Sequence, residues 1–62
     1  MIKAEWLKPC NGYHIDKSWE VDENTGKIKK DSIVYTVYDD PEGGFIDCFK
    51  TLKAAQEFCK SN

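Results

Sequence analysis

The sequence has 62 residues, which is enough for one small domain, and we expect that domain to span residues 1–62. Its nine basic residues are all lysine, and eleven acidic residues bring the net charge to −2. Arginine forms bidentate hydrogen bonds with phosphates and with guanine edges, so its absence argues against sequence-specific recognition of nucleic acid. A chain this short also leaves little room for a substrate cleft, which argues against an enzyme.

The first half of the chain predicts short strands separated by turns. Residues 2–7 form a short strand candidate that ends at Pro9 and a turn at Asn11 and Gly12. Apolar and polar residues alternate again within residues 13–15, 19–21 and 27–29, with turn-forming residues at 22–26. We therefore expect one or two further strands from residues 13–30.

The second half predicts an antiparallel hairpin. Residues 33–38 are an unbroken run of β-branched and aromatic side chains, and residues 45–49 are a second strand candidate. Residues 39–44 are rich in turn formers and predict a loop of four to six residues. In the second strand we expect Ile46 and Cys48 to face the core, with Phe49 packing where the strand meets the next element.

A helix follows this hairpin. The Thr51 hydroxyl can cap its N-terminus, and Lys60 suits the dipole of its last turn. Its apolar residues fall on one stripe at helical spacing: Leu52, Ala55, Phe58 and Cys59. About ten residues are too few for a helix that persists alone in water. The expected fold is therefore α+β, an antiparallel sheet of three to four strands with the C-terminal helix, residues 51–61, packed on one face.

Cysteine usage points to a reducing compartment. The odd set of three, Cys10, Cys48 and Cys59, is typical of free thiols in the cytoplasm, and Lys3 and Glu5 interrupt any apolar leader. With His14 these cysteines offer a Cys3His set, but the spacing lacks the paired ligands of familiar zinc sites. We predict no metal, no cofactor and no catalytic residue, and no apolar run approaches the ~18 residues of a membrane span.

The junction between the last strand and the helix resembles two known groups. Residues 49–55, Phe-Lys-Thr-Leu-Lys-Ala-Ala after a hairpin, are similar to the strand-to-helix junction of arm-type DNA-binding domains of tyrosine recombinases. They also resemble the ending of small bacteriophage accessory proteins. The likeness covers about the last thirty residues. Arm domains are basic and use arginine on the sheet, so the acidic charge here fits the second group better, and that resemblance implies a protein that modulates a host factor in the host cytoplasm.

The leading functional hypothesis is a non-enzymatic protein-binding or inhibitory module. Its predicted binding residues are Trp6, as an interface anchor, with the carboxylates of Asp39, Asp40 and Glu42. One alternative is a nucleic-acid-binding module that uses the open sheet face, with candidate residues Lys27, Lys29, Lys30 and Tyr35. Another is a structural protein that associates with itself as a homodimer.

Overall fold

The computed structural model describes residues 1–40 and 42–61 and shows a small α+β fold. Four antiparallel strands form one open sheet in the order β1-β2-β3-β4, and one helix follows them. The bounds are Ile2–Trp6 for β1, His14–Val21 for β2, Ile28–Asp40 for β3, Gly43–Phe49 for β4 and Leu52–Ser61 for α1. The sequence predicted three to four strands and a C-terminal helix, and both are confirmed.

The connection from β1 to β2 contains the predicted tight turn. Asn11 and Gly12 have positive φ angles of 52° and 83°. Two positive φ angles at the central residues define a type I′ turn, whose twist matches that of the flanking strands. Cys10 and Tyr13 close the turn, because each donates its backbone N–H to the carbonyl of the other at 2.9 Å.

The connection from β2 to β3 is held by one carboxylate. Asp22 Oδ1 accepts the backbone N–H groups of Asn24 and Thr25 at 2.8 and 3.3 Å. These two hydrogen bonds stabilise the ionised form and hold the pKa of Asp22 below its ordinary value. Gly26 donates its N–H to the Asp22 carbonyl at 2.8 Å, which completes the predicted turn.

Beyond this turn, β3 carries a long irregularity. Ser18 lies opposite Val34, and Glu20 lies opposite Lys29. Four residues of β3, 30–33, therefore occupy the interval that the single residue Trp19 occupies on β2. The Ser32 hydroxyl accepts the Glu20 N–H at 2.7 Å and donates to the Lys29 carbonyl at 2.5 Å. A side chain therefore takes the place of backbone pairing where the ladder is interrupted.

The hairpin of β3 and β4 differs from the prediction in loop length and in register. Its strands reach Asp40 and begin again at Gly43, so the connection is shorter than four residues. Tyr38 lies opposite Phe45 whereas Val37 lies opposite Asp47, which makes Ile46 an extra residue in β4. An extra residue reverses the alternation of faces along the strand.

This irregularity overturns one expectation. Ile46 and Phe49 both pack against the core, as predicted, but Cys48 is exposed. Strict alternation put Ile46 and Cys48 on one face. The extra residue at Ile46 breaks that alternation, so Cys48 lies opposite Thr36 on the other face of the sheet.

The buried core is small. Its fully buried hydrophobic residues among those described are Ile15, Val37, Ala55 and Cys59. Ile15 and Val37 lie opposite each other on β2 and β3, and α1 supplies the other two side chains. We call the sheet face that carries Ile15 and Val37 the core face.

Both ends of α1 are tied to the rest of the chain. The Thr51 hydroxyl accepts the Ala54 N–H at 3.2 Å, so Thr51 caps the helix as predicted. Asn11 donates from its side-chain amide to the Cys59 carbonyl at 2.9 Å. The residue that turns the chain between β1 and β2 thereby also satisfies a carbonyl in the last turn of α1.

Within residues 1–40 and 42–61, no helix has the length and apolar character needed to span a membrane.

Candidate functional site

The sheet face opposite the core face carries a row of aromatic side chains. His14 lies opposite Tyr38, and Tyr38 lies opposite Phe45 across the next strand pair. Trp6 lies opposite Asp16, one residue beyond the buried Ile15, and so belongs to the same face. We call the surface formed by Trp6, His14, Tyr38 and Phe45 the aromatic face.

These rings touch one another from the edge strand β1 across to the edge strand β4. The Trp6 and Tyr38 ring centroids are 5.5 Å apart, and those of Tyr38 and Phe45 are 6.3 Å apart. His14 stands edge-on to Trp6 at 6.4 Å. Edge-to-face packing of this kind holds each ring in place on the sheet.

The outer rings of this row remain largely in solvent. Trp6 is 54% exposed and Phe45 is 63% exposed. Contiguous exposed apolar surface on a small protein marks a site of interaction, because burying it on a partner is favourable. The aromatic face can therefore supply a large contact area from side chains whose positions are already fixed.

Carboxylates border the aromatic face where β3 ends. The chain runs directly from Tyr38 into Asp39 and Asp40, and Glu42 follows in the turn. All three acidic residues are exposed, and the Glu42 N–H donates to Asp40 Oδ1 at 2.9 Å. Tyr38 touches Trp6, so the ring that contacts the predicted anchor directly precedes two of the predicted carboxylates in the chain.

The Asp39 carboxylate rests over a glycine of β4. A Cβ atom at Gly44 would come within 1.7 Å of Asp39 Oδ1, and Gly44 has a φ angle of 76°. Glycine tolerates both the positive φ and this close approach, which other residues resist. Gly44 therefore leaves room for the Asp39 carboxylate.

One acidic residue lies within the aromatic face itself. Asp16, opposite Trp6 on β2, is half-buried. Burial raises the pKa of this carboxyl, because the charged form loses solvation. A cationic group on a partner would compensate for that loss.

The residues of the nucleic-acid alternative lie elsewhere. Lys29 and Lys30 are exposed at the start of β3, the end of that strand farthest from Tyr38, and exposed Lys27 directly precedes the strand. Lys29 Nζ lies 3.4 Å from a Glu20 carboxylate oxygen. Tyr35 packs against the buried core and lies opposite Phe49, so it belongs to the core face and not to the aromatic face. The structure does not gather these four residues into one surface.

The cysteines and the histidine are divided between the two faces. Cys10 packs against the core that contains Cys59, whereas Cys48 is exposed on the opposite face. His14 belongs to the aromatic face. No group of three or more potential metal ligands occurs in the part of the chain that the structure describes.

The sequence predicted Trp6 and the carboxylates as binding residues but did not assign Phe45 to the same surface. By strict alternation Phe45 and Phe49 share a face, and the extra residue at Ile46 separates them. The adjacent glycines at 43 and 44 were the available signal, since glycine within a strand often accompanies an irregular register.

The chain matches no protein-family model, no curated protein and no solved structure. Its function is therefore inferred from the geometry of the aromatic face and of its acidic border.

Proposed function

We propose that this protein is a small non-enzymatic binding module that docks a protein partner on its aromatic face. The observation that carries the proposal is the row of mutually packed rings from Trp6 through Tyr38 to Phe45, whose two ends are exposed. Aromatic anchors with fixed positions lose little conformational freedom on binding, so they contribute strongly to affinity.

The placement of α1 supports the choice of this face. The helix contributes Ala55 and Cys59 to the cluster that contains Ile15 and Val37. We therefore place α1 on the core face, which leaves the aromatic face free for a partner. An antiparallel sheet can expose one face in this way while the other face holds the domain together.

The chemistry of the face defines the partner. Apolar side chains would cover Trp6 and Phe45, and basic side chains would meet Asp39, Asp40 and Glu42 at the border. Complementary charge at an interface rim guides encounter and orientation more than it adds affinity. The resemblance to small bacteriophage accessory proteins suggests a host factor in the cytoplasm as that partner, with inhibition as the outcome of binding.

Binding should depend on the aromatic face and much less on the lysines. A pull-down from host lysate would supply the partner, and calorimetric titration would measure the affinity of each variant. Trp6→Ala and Phe45→Ala should each weaken binding by about tenfold or more, as loss of an interface anchor does. The matched control is Ile28→Ala, because Ile28 is another exposed apolar side chain, 52% exposed, at the opposite end of β3.

Charge variants separate this proposal from the nucleic-acid alternative. Neutralising Asp39, Asp40 and Glu42 together should weaken protein binding, and replacing Lys27, Lys29 and Lys30 with alanine should leave it nearly unchanged. Loss of binding in the lysine variant alone, with salt-dependent binding to a single-stranded oligonucleotide, would replace the protein-binding proposal with the nucleic-acid one.

A further inference from the structure

The strand β1 is an edge whose outward backbone groups can be assigned. Val21 donates its N–H to the Met1 carbonyl at 2.8 Å, and Leu7 donates to the Ile15 carbonyl at 2.9 Å. In an antiparallel pair, residues that exchange hydrogen bonds alternate with residues that do not. The groups of residues 1, 3, 5 and 7 therefore point to β2, and those of Ile2, Ala4 and Trp6 point away from the sheet.

All five residues of β1 are exposed, and their order is self-complementary. The strand reads Ile-Lys-Ala-Glu-Trp. When two copies of this strand are aligned antiparallel with their Ala4 residues opposite each other, Lys3 of each copy faces Glu5 of the other. Ile2 of each copy likewise faces Trp6 of the other. Opposite charges and apolar pairs at facing positions stabilise adjacent strands.

We propose that a second copy of this chain pairs with β1 through a two-fold axis at Ala4. The two Ala4 residues would exchange N–H···O bonds, and each Ile2 would do the same with Trp6 of the second copy. These are the residues whose backbone groups point outward, so the register that matches the charges also matches the hydrogen bonds. The interface is isologous, as expected for a two-fold dimer.

Neighbouring registers are disfavoured by charge. Because residues with outward backbone groups must face one another, the two-fold axis can shift only by a whole residue, to Lys3 or to Glu5. The first shift places the two Lys3 side chains opposite each other, and the second does so for the two Glu5 side chains. Like charges directly opposite one another destabilise a strand pair, so the register centred on Ala4 is selected.

The dimer would be one continuous eight-stranded sheet. A two-fold axis perpendicular to the sheet keeps each face on its own side, so Ile2 of the second copy would lie beside Trp6 on the aromatic face. Ile2 is 77% exposed, and pairing would cover it. Edge strands left unpaired are a liability, and a short strand such as β1 supports a weak, concentration-dependent association. The proposal rests on the backbone edge of β1 and is independent of partner docking on the face.

Analytical ultracentrifugation from micromolar to millimolar concentration tests the pairing. The protein should shift from the mass of one chain to that of two. Lys3→Glu places two glutamates opposite Glu5, and Glu5→Lys places two lysines opposite Lys3. Each variant alone should associate about tenfold or more weakly, because two attractive pairs become repulsive. An equimolar mixture of the two variants should associate again, since each then faces the opposite charge.

Three further variants complete the experiment. Lys53→Glu and Glu57→Lys make the same charge changes on exposed positions of α1 and should dimerise as the unaltered chain does. Ala4→Pro removes an outward N–H that β2 does not use, so the fold should persist and the dimer should be lost. A monomer at every concentration overturns the proposal. So does a dimer that survives Ala4→Pro and both single charge reversals, because it would then use another surface.

Discussion

The two faces of the sheet differ in how far their apolar side chains are buried. On the core face, Ile15 and Val37 are fully buried and cluster with Ala55 and Cys59 of α1. On the aromatic face, a tryptophan and a phenylalanine remain more than half exposed. A domain this short would gain stability by burying its largest rings. That Trp6 and Phe45 are instead left in solvent supports the proposal that the aromatic face binds a partner.

The largest expected effect would come from truncating the core face. Ile15→Ala should lower the free energy of unfolding by about 2–5 kcal/mol, because it leaves a cavity in the buried cluster of Ile15, Val37, Ala55 and Cys59. Phe58→Ala and Leu52→Ala should fall in the same range, since both side chains pack against the core. Urea denaturation would measure each change. A stability unaffected by all three substitutions would remove the packing of α1 on the core face.

The same contrast should appear in the reactivity of the thiols. Cys59 is fully buried, and burial raises its pKa, so less of it is the reactive thiolate at a given pH. Exposed Cys48 should react with iodoacetamide about a hundredfold faster than Cys59 or more, since Cys59 becomes accessible only when the structure opens locally. Peptide mass spectrometry after timed quenching would give both rates.

Native mass spectrometry of the same sample should show the mass of the chain without metal, and one tightly held zinc would contradict the assignment of free thiols.

A smaller effect is expected at Asn11, which joins the first turn to α1. Asn11→Ala should lower stability by about 1–3 kcal/mol, because alanine resists the positive φ and loses the bond to the Cys59 carbonyl. Asn11→Gly keeps the turn and loses only the hydrogen bond, so it should cost about 1 kcal/mol. Thermal unfolding of the pair separates the two contributions. Equal losses in both variants would assign the whole effect to the hydrogen bond.

The smallest expected effect is a pH dependence on the aromatic face. The folded-state pKa of Asp16 is raised by burial, so this residue favours folding while it is protonated at low pH. That contribution is lost as the pH rises through the folded-state pKa. Asp16→Asn should therefore melt slightly higher than the unaltered chain at neutral pH and equally at acidic pH. Higher stability of the unaltered chain at neutral pH would show that the Asp16 charge has a favourable partner.

The elements with strong local patterns were predictable from sequence. The capped helix after Thr51, the β-branched run that ends β3 and the turn at Asn11 and Gly12 each follow from residue types at fixed spacing. The faces of β4 were not predictable, because one extra residue at Ile46 moves Cys48 outward. Alternation alone cannot reveal such an insertion.

The candidate site was predictable only in part. Trp6 and the carboxylates were identified from their types, since a tryptophan outside the clearest strand and helix patterns and a cluster of acids in a turn suggest an interface. The contact of Trp6 with Tyr38 depends on the order of strands in the sheet, which brings β1 within reach of Tyr38 across β2. Tyr35 lies on the core face because it pairs with Phe49. Residue types alone do not predict this strand pairing.

The hydrogen bond between Asn11 and Cys59 has a consequence for the order of folding events. Consecutive strands pair with one another throughout the sheet, so most contacts join residues close in the chain, and such contacts form quickly. The bond from Asn11 to Cys59 spans 48 residues, and α1 supplies two of the buried side chains. The hairpins can therefore assemble first, and docking of α1 against the first turn follows after the transition state for folding. Substitutions in α1 should then accelerate unfolding much more than they slow folding.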